Sequence, residues 1–261
     1  MEQYAMVTGA SEGLGKSLAI ELANQGINLV IVSLPGSGLH ELGSYIRKNF
    51  DVQVHCFEAD LTLNESCHSL FAFLEAYKLR LSILVNNAGI GNWSMFGERN
   101  TGFYKRQIEL NVMAPVLLTR LFLDQVDPLE RAHVLNVGSL GGLFVVPGKP
   151  VYGATKSFIR YFTQCLRLEL GQSNVRVSLL SPGGINTKPE LLVMNHNLKG
   201  ISRAAVLEPE QVAKAAIRGM LQGRKEIIPG VFNRFLVVLN QLLPAGVKEY
   251  IIRRKLGSVR S

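Results

Sequence analysis

Short apolar runs rich in β-branched residues alternate along the chain with longer segments whose apolar positions recur every three or four residues. The runs are YAMVTG at 4–9, NLVIVS at 28–33, VQVHCFEA at 52–59 and SILVNN at 82–87. They continue with AHVLNVGS at 132–139, VRVSLLSP at 175–182 and the short KEIIPG at 225–230. Apolar residues fill consecutive positions in these runs rather than alternate ones, which predicts strands covered on both faces. Among the intervening segments, GKSLAIELANQG sets Leu18 and Leu22 on one face and Gly26 just past the end, the pattern of a glycine-terminated helix. Seven such strands separated by helices predict an α/β fold with one doubly wound parallel sheet. No linker, repeat or low-complexity stretch divides the chain, so residues 1–261 read as a single domain.

Composition agrees with a folded core: 47% of the 261 residues are hydrophobic and 18% charged. The three cysteines, Cys56, Cys67 and Cys165, have no C-x-x-C spacing and read as reduced, mostly buried thiols. The five histidines form no H-x-x-x-H pair, so no metal site is expected. The N-terminus MEQYAMVTGA enters a strand at once, without a basic segment, a long apolar segment or a cleavage site. No apolar run reaches the roughly eighteen residues of a membrane-spanning helix. The expectation is a cytoplasmic protein. A net charge of +8 favours anionic partners such as nucleotide phosphates, acyl-phosphopantetheine carriers or membranes. No DNA- or RNA-binding signature accompanies that charge, so nucleic acid is not an expected partner.

The first strand runs directly into TGASEGLG and then into a helix. Gly9, Gly13 and Gly15 let the backbone approach a pyrophosphate, and the helix start supplies N–H groups and partial positive charge. Strand, spaced glycines and helix together predict a nucleotide site. Further along, VYGATK places Tyr152 and Lys156 one helical turn apart on one face. A cation beside a phenol favours phenolate and lowers the tyrosine pKa, which is otherwise about 10. A useful acid/base titrates near the operating pH, so closing that gap takes about 4 kcal/mol of differential stabilisation.

These motifs in order resemble the short-chain dehydrogenase/reductase family. TGASEGLG is similar to its T-G-x-x-x-G-x-G turn. NNAG at 86–89, Asn111 in IELNV, Ser139, the Tyr152–Lys156 pair and SPGGINT at 181–187 follow in the family's sequence. The resemblance covers nearly the whole chain and implies a Rossmann-like fold and an oxidoreductase interconverting a ketone and a secondary alcohol with NAD(P)(H). It assigns Tyr152 as the acid/base, Lys156 as its helper and a holder of the nicotinamide ribose, Ser139 as the group orienting the substrate oxygen, and Asn111 as the holder of a proton-relay water. It also implies cofactor contacts from Gly9, Ser11, Glu12, Gly13, Leu14 and Gly15 in the turn. Further contacts come from Ser33, Asp60, Leu61, Asn87, Ala88 and Gly89, and from Pro182, Gly183, Ile185 and Thr187 beyond the sixth strand. Asn87 is expected to tie adjacent strands together. Asp60 has two readings, an adenine contact and an N-cap of the next helix.

Cofactor choice turns on the end of the second strand. NAD-preferring members carry an acid there to accept the ribose hydroxyl bonds, and this chain has Ser33. Leu34 and Glu12 stand where NADP-preferring members carry basic residues, while SLPGSG at 33–38 offers hydroxyls and glycine N–H groups to a phosphate. The reading leans to NADP(H), with NAD(H) as the alternative and Glu12 as the argument against.

Substrate signals are apolar. GNWSMF at 91–96, GLFVVPG at 142–148 and PELLVM at 189–194 predict a greasy cleft with Trp93, Phe144, Val146 and Met194 in its walls. Residues 189–210 read as a substrate loop, and 231–261 as an apolar and basic extension. That extension suits an anionic membrane surface, a subunit contact or a cover over a lipophilic carbonyl substrate. Family members imply a homodimer or homotetramer. A non-catalytic nucleotide-binding scaffold on the same fold is the alternative function.

Overall fold

The computed structural model describes residues 3–186 and 205–260. The chain opens with β1 (Gln3–Thr8), α1 (Gly13–Asn24), β2 (Asn28–Ser33), α2 (Leu39–Asn49), β3 (Val54–Glu58) and α3 (Asn64–Ala76). It continues with β4 (Arg80–Asn86), α4 (Thr101–Ile108), a π-helical turn (Glu109–Met113) and α5 (Ala114–Gln125). Next come β5 (Ala132–Val137), α6 (Pro150–Glu169), β6 (Val175–Leu180), β7 (Gly184–Ile185) and β8 (Val206–Leu207). The last elements are α7 (Pro209–Leu221), β9 (Glu226–Ile227), α8 (Val231–Leu242) and α9 (Ala245–Arg260).

Seven strands form one parallel sheet in the order β3-β2-β1-β4-β5-β6-β9, and β7 pairs with β8 outside it. The consecutive apolar runs follow from burial on both faces. Met6, Val30 and Leu84 pack with α3 and α5 on one side, while Val7, Ile31 and Val85 pack with α1, α2 and α7 on the other. Neighbouring strands keep these positions in register, so each face is apolar across the sheet.

Four strands, β3, β5, β6 and β9, are shorter than the apolar runs predict, and β6 stops at Leu180, ahead of Pro182. β3 begins at Val54, because Val52 N–H turns back to the Phe50 carbonyl. β5 stops at Val137, and Ser139 then turns to bond the Gly141 N–H. β9 stops at Ile227, ahead of Pro229, which has no N–H for a ladder, and Gly230, whose φ of 84° leaves the extended region. The cysteines are free, but only Cys67 is buried, and the other two are half-exposed. In the extension, α8 is anchored by buried Asn233, whose amide donates to the Pro229 and Ala205 carbonyls at 3.0 and 3.2 Å. Val231, Phe235, Val238 and Leu242 leave an exposed apolar stripe along it. No helix among the described residues is long and apolar enough to cross a membrane.

Candidate active site

The strand order changes direction between β1 and β4, which leaves a crevice at their carboxyl ends. A cleft of about 600 Å³ opens there. Its walls include Gly9, Ser11, Glu12, Gly13, Leu14, Gly15, Ser33, Asp60, Leu61, Asn87, Ala88 and Gly89, which the sequence had placed there. Leu34, Ser37, Ala59, Thr62, Ile90, Arg106 and Leu110 complete the lining.

The local backbone explains this convergence. Gly9 has a φ of 63°, and a Cβ on it would stand 2.9 Å from Ala88 Cα, so only glycine lets the β1 and β4 turns meet. Asn87 Nδ2 donates to the carbonyls of Thr8 and Gly9 at 2.9 and 3.1 Å, tying the two strand ends as expected. Thr8 is the partner that sequence reasoning passed over. Its Oγ1 donates to the Val85 carbonyl at 3.2 Å and accepts from the N–H groups of Asn87 and Ala88, both at 3.0 Å.

The lining suits a dinucleotide. The first-turn N–H groups of α1 receive no side-chain cap from Glu12, so they present donors at the positive end of the helix. Ser11 Oγ and Ser33 Oγ lie 2.7 Å apart, and Ser37 Oγ is buried with no hydrogen-bond partner among the described residues. Such hydroxyls and N–H groups are what phosphate and ribose oxygens bind. Asp60 also lines the cleft, but it does not cap α3, whose N-cap is Leu63. Its carboxylate instead accepts from the N–H and Oγ1 of Thr62 at 2.9 and 2.8 Å. At the far end of β3, Glu58 accepts from the Gly36 N–H at 3.1 Å and faces His40 at 3.8 Å, which orders the SLPGSG loop.

The predicted catalytic residues gather beside the Gly89 end of this cleft. A Cβ on Gly89 would stand 3.1 Å from Asn111 Oδ1 and 3.5 Å from Lys156 Nζ. Asn111 lies in the π turn, where Pro115 removes the N–H that an α-helix would offer to the Asn111 carbonyl. That bulge holds the buried Asn111 amide against Ile90. Its Oδ1 accepts from Ile90 N–H at 2.9 Å, and its Nδ2 donates to the Ile90 carbonyl at 2.9 Å and to Thr155 Oγ1 at 3.1 Å. Thr155 Oγ1 in turn donates to the Tyr152 carbonyl at 2.8 Å, linking Asn111 to α6.

Lys156 is buried, and its ammonium donates to the Val137 carbonyl at 2.8 Å while lying 5.9 Å from the Tyr152 ring centre. Burial lowers its pKa to about 8. The Tyr152 hydroxyl is deep in the protein, although part of the residue reaches the surface. Burial raises the phenol pKa, and a hydrogen bond with Ser139 works the other way. The expected depression by Lys156 is therefore not what this arrangement produces. Removing phenolate from water costs more than the Ser139 hydrogen bond returns.

Below these groups runs a buried polar chain. Asn86 Nδ2 donates to Thr119 Oγ1 at 3.0 Å and to Asn136 Oδ1 at 2.8 Å, and Asn136 Nδ2 donates to Thr163 Oγ1 at 2.9 Å. It fixes α5 and α6 on β4 and β5, one residue before the carbonyl that holds Lys156.

The remaining predicted residues fall elsewhere. Pro182 accepts from the Leu140 N–H at 2.9 Å and so holds the turn after Ser139. Gly183 packs under Asn233, and Ile185 pairs with Leu207; neither lines the cleft. Thr187 and Met194 lie outside the described residues. Trp93 is joined to the Gly148 loop by the Ser94 N–H bond to the Gly148 carbonyl at 2.9 Å. Phe144 and Val146 are half-buried in the loop that leads to Gly148. Two charged residues were missed, Arg106 in the cleft wall and Lys149 beside Tyr152. Their only sequence signal is spacing: Arg106 stands one turn before Leu110, and Lys149 one turn before Tyr152.

Comparison with known proteins gives the same outline. A family model described as short chain dehydrogenase matches residues 3–195. The very-long-chain 3-oxoacyl-CoA reductase of Macaca fascicularis is 30% identical over 190 residues, covering 71% of this chain. The chain spans 60% of that relative's length. Estradiol 17-beta-dehydrogenase 11 of Rattus norvegicus is 30% identical over 256 residues, 97% of this chain and 83% of the relative. A short-chain dehydrogenase from Sphingobium yanoikuyae, solved in complex with NADPH, superposes with a TM-score of 0.77 at 25% identity. That match covers 99% of this chain and 95% of the other.

Proposed function

Because the chain belongs to the short-chain dehydrogenase/reductase family and is a nicotinamide-dependent oxidoreductase of the carbonyl/alcohol couple, we propose that it reduces an apolar or acyl-chain ketone to a secondary alcohol with NADPH. The observation that carries this reading is the meeting of Ser139, Tyr152 and Lys156 at the Gly89 end of the nucleotide cleft. A nicotinamide held at the Gly89 end of the cleft would supply the hydride for the carbonyl carbon. Tyr152 gives its phenolic proton to the carbonyl oxygen, so that one hydride and one proton complete the alcohol. Ser139 Oγ hydrogen-bonds the same oxygen and holds it within reach of the phenol. Lys156 favours the phenolate left behind, and Asn111 holds the Ile90 turn that closes the site beneath Tyr152. The raised phenol pKa suits the reductive direction, because the acid is loaded with its proton at neutral pH.

Support for an acyl or otherwise lipophilic ketone comes from the names of the two relatives and from the apolar 142–148 loop. NADPH is favoured by the absence of an acid at Ser33, by the hydroxyls of Ser11, Ser33 and Ser37, and by Arg106 as the one cation among the cleft-lining residues. Assembly as a homodimer or homotetramer is favoured by α6, which exposes Phe158, Tyr161 and Leu168 on one face. The apolar stripe of α8, next to Arg234, favours rest on an anionic membrane surface.

Titration with NADPH and NADH by fluorescence, followed by a ketone panel, tests the reading in wild type and Tyr152→Phe. Tighter NADPH binding is expected, with the variant still binding and its turnover lower by about 10²–10⁴-fold. NADH preference overturns the cofactor assignment. Cofactor binding without turnover of any ketone overturns the catalytic one and returns the chain to a nucleotide-binding scaffold.

A further inference from the structure

One cation beside the acid/base has no role in the chemistry above. Lys149 is the N-cap residue of α6, three positions before Tyr152. Its ammonium lies 4.2 Å from the centre of the Trp93 ring and 5.3 Å from the centre of the Tyr152 ring. No hydrogen bond or ion pair holds it among the described residues, and the first turn of α6 contains no acid to answer it. The side chain is half-buried, and burial lowers its pKa. Aromatic faces stabilise an ammonium in such a place only in part, since they supply no acceptor for its N–H donors. Trp93 remains more than half exposed at 55%, so a ligand reaches the ammonium from the Trp93 side.

We propose that Lys149 forms an anion subsite in the substrate cleft, so that the compound reduced at Tyr152 is an oxo acid whose carboxylate lies close to its oxo carbon. The proposal rests on the oxidoreductase reading and narrows its substrate class. The 5.3 Å between ammonium and phenol ring is short. A carbonyl at the tyrosine hydroxyl and an anion at Lys149 therefore belong to one short segment of a single molecule. The apolar remainder of that molecule lies towards Trp93 and the 142–148 loop. A neutral ester or thioester of the same acid leaves the ammonium without its partner, which is costly at a half-buried position.

Trp93 is the only tryptophan in the chain, so intrinsic emission reports on this ammonium directly. The wild type, Lys149→Met and Lys149→Arg are titrated with hexanoate and with methyl hexanoate. Reduction of 2-, 3- and 4-oxohexanoates is then compared with reduction of their methyl esters. Saturable quenching by hexanoate alone is expected. At least one oxo acid should be preferred over its ester by about 10- to 100-fold in kcat/KM, the range of a charge-assisted hydrogen bond. Lys149→Met brings that ratio near one by raising KM for the acid, and Lys149→Arg keeps much of it. Equal kcat/KM for acids and esters in the wild type overturns the proposal, as does a preference that survives Lys149→Met. A fall in kcat shared by acid and ester in that variant also overturns it, because Lys149 then acts on the tyrosine. Quenching by hexanoate with no turnover of any ketone removes the oxidoreductase reading and leaves the anion subsite standing.

Discussion

Gly91 is where one added methyl group should damage the chemistry and leave the nucleotide cleft intact. A Cβ at this position would stand 2.8 and 2.9 Å from Cδ2 and Cε2 of the Tyr152 ring. Carbon atoms rest at about 3.5 Å or more, so ring and loop must separate by roughly 0.7 Å in Gly91→Ala. Neither side yields freely. The loop is held by both Ile90 backbone bonds to Asn111 and by Gln107 Nε2 donating to the Ile90 carbonyl at 3.1 Å. The ring sits on α6, whose first turn is fixed by the Gly153 N–H bond to the Lys149 carbonyl and by Thr155 Oγ1 on the Tyr152 carbonyl. Overpacking of this kind costs about 1–2 kcal/mol, or roughly 2–8 °C in Tm for a chain of this size. A displacement near 1 Å at a reacting group costs about 10²-fold in rate, so a fall in kcat of roughly 30-fold is expected. Steady-state reduction of a ketone accepted by the wild type, cofactor titration and calorimetry read the three quantities. Gly97→Ala, whose Cβ meets nothing within 4 Å, is the matched control. A Gly91→Ala enzyme with kcat within twofold of wild type and an unchanged Tm would refute the reasoning, because the ring would then have room to yield.

Two further outcomes follow from burial and exposure. Burial lowers Lys156 from its ordinary 10.5 to about 8, so between these values the unfolded chain holds a proton that the folded chain has released, and stability gains with pH there. That difference amounts to about 3 kcal/mol against the folded state at pH 7, less about 1 kcal/mol for the bond to the Val137 carbonyl. Lys156→Met should therefore resist urea better than wild type at pH 7 while losing turnover, with the gap closing by pH 10.5; a gap independent of pH contradicts the assignment. Sedimentation with and without anionic vesicles reads both exposed stripes. Dimers or tetramers are expected in free solution, with co-sedimentation lost in Phe235→Asp, and a monomer that ignores vesicles refutes both assignments.

Much of this molecule was legible before folding because it depends on local chemistry. Consecutive apolar runs mark strands covered on two faces, and Met6 beside Val7 shows why, one residue serving each layer. The Gly9 turn was legible because a positive φ demands glycine, and the Tyr152–Lys156 pair because four residues make one helical turn. What the packed structure alone decided are proximities between distant segments and the energetics of desolvation. The Asn86–Asn136 bond needs β4 and β5 in register, and the position of Asn111 needs a π turn that Pro115 only hints at. Lys149 looks like an ordinary surface lysine until the Trp93 loop and α6 enclose it. The direction of the Tyr152 pKa was misjudged from sequence for the same reason. Spacing reveals the neighbouring charge, but only the tertiary structure reveals how much water has been removed.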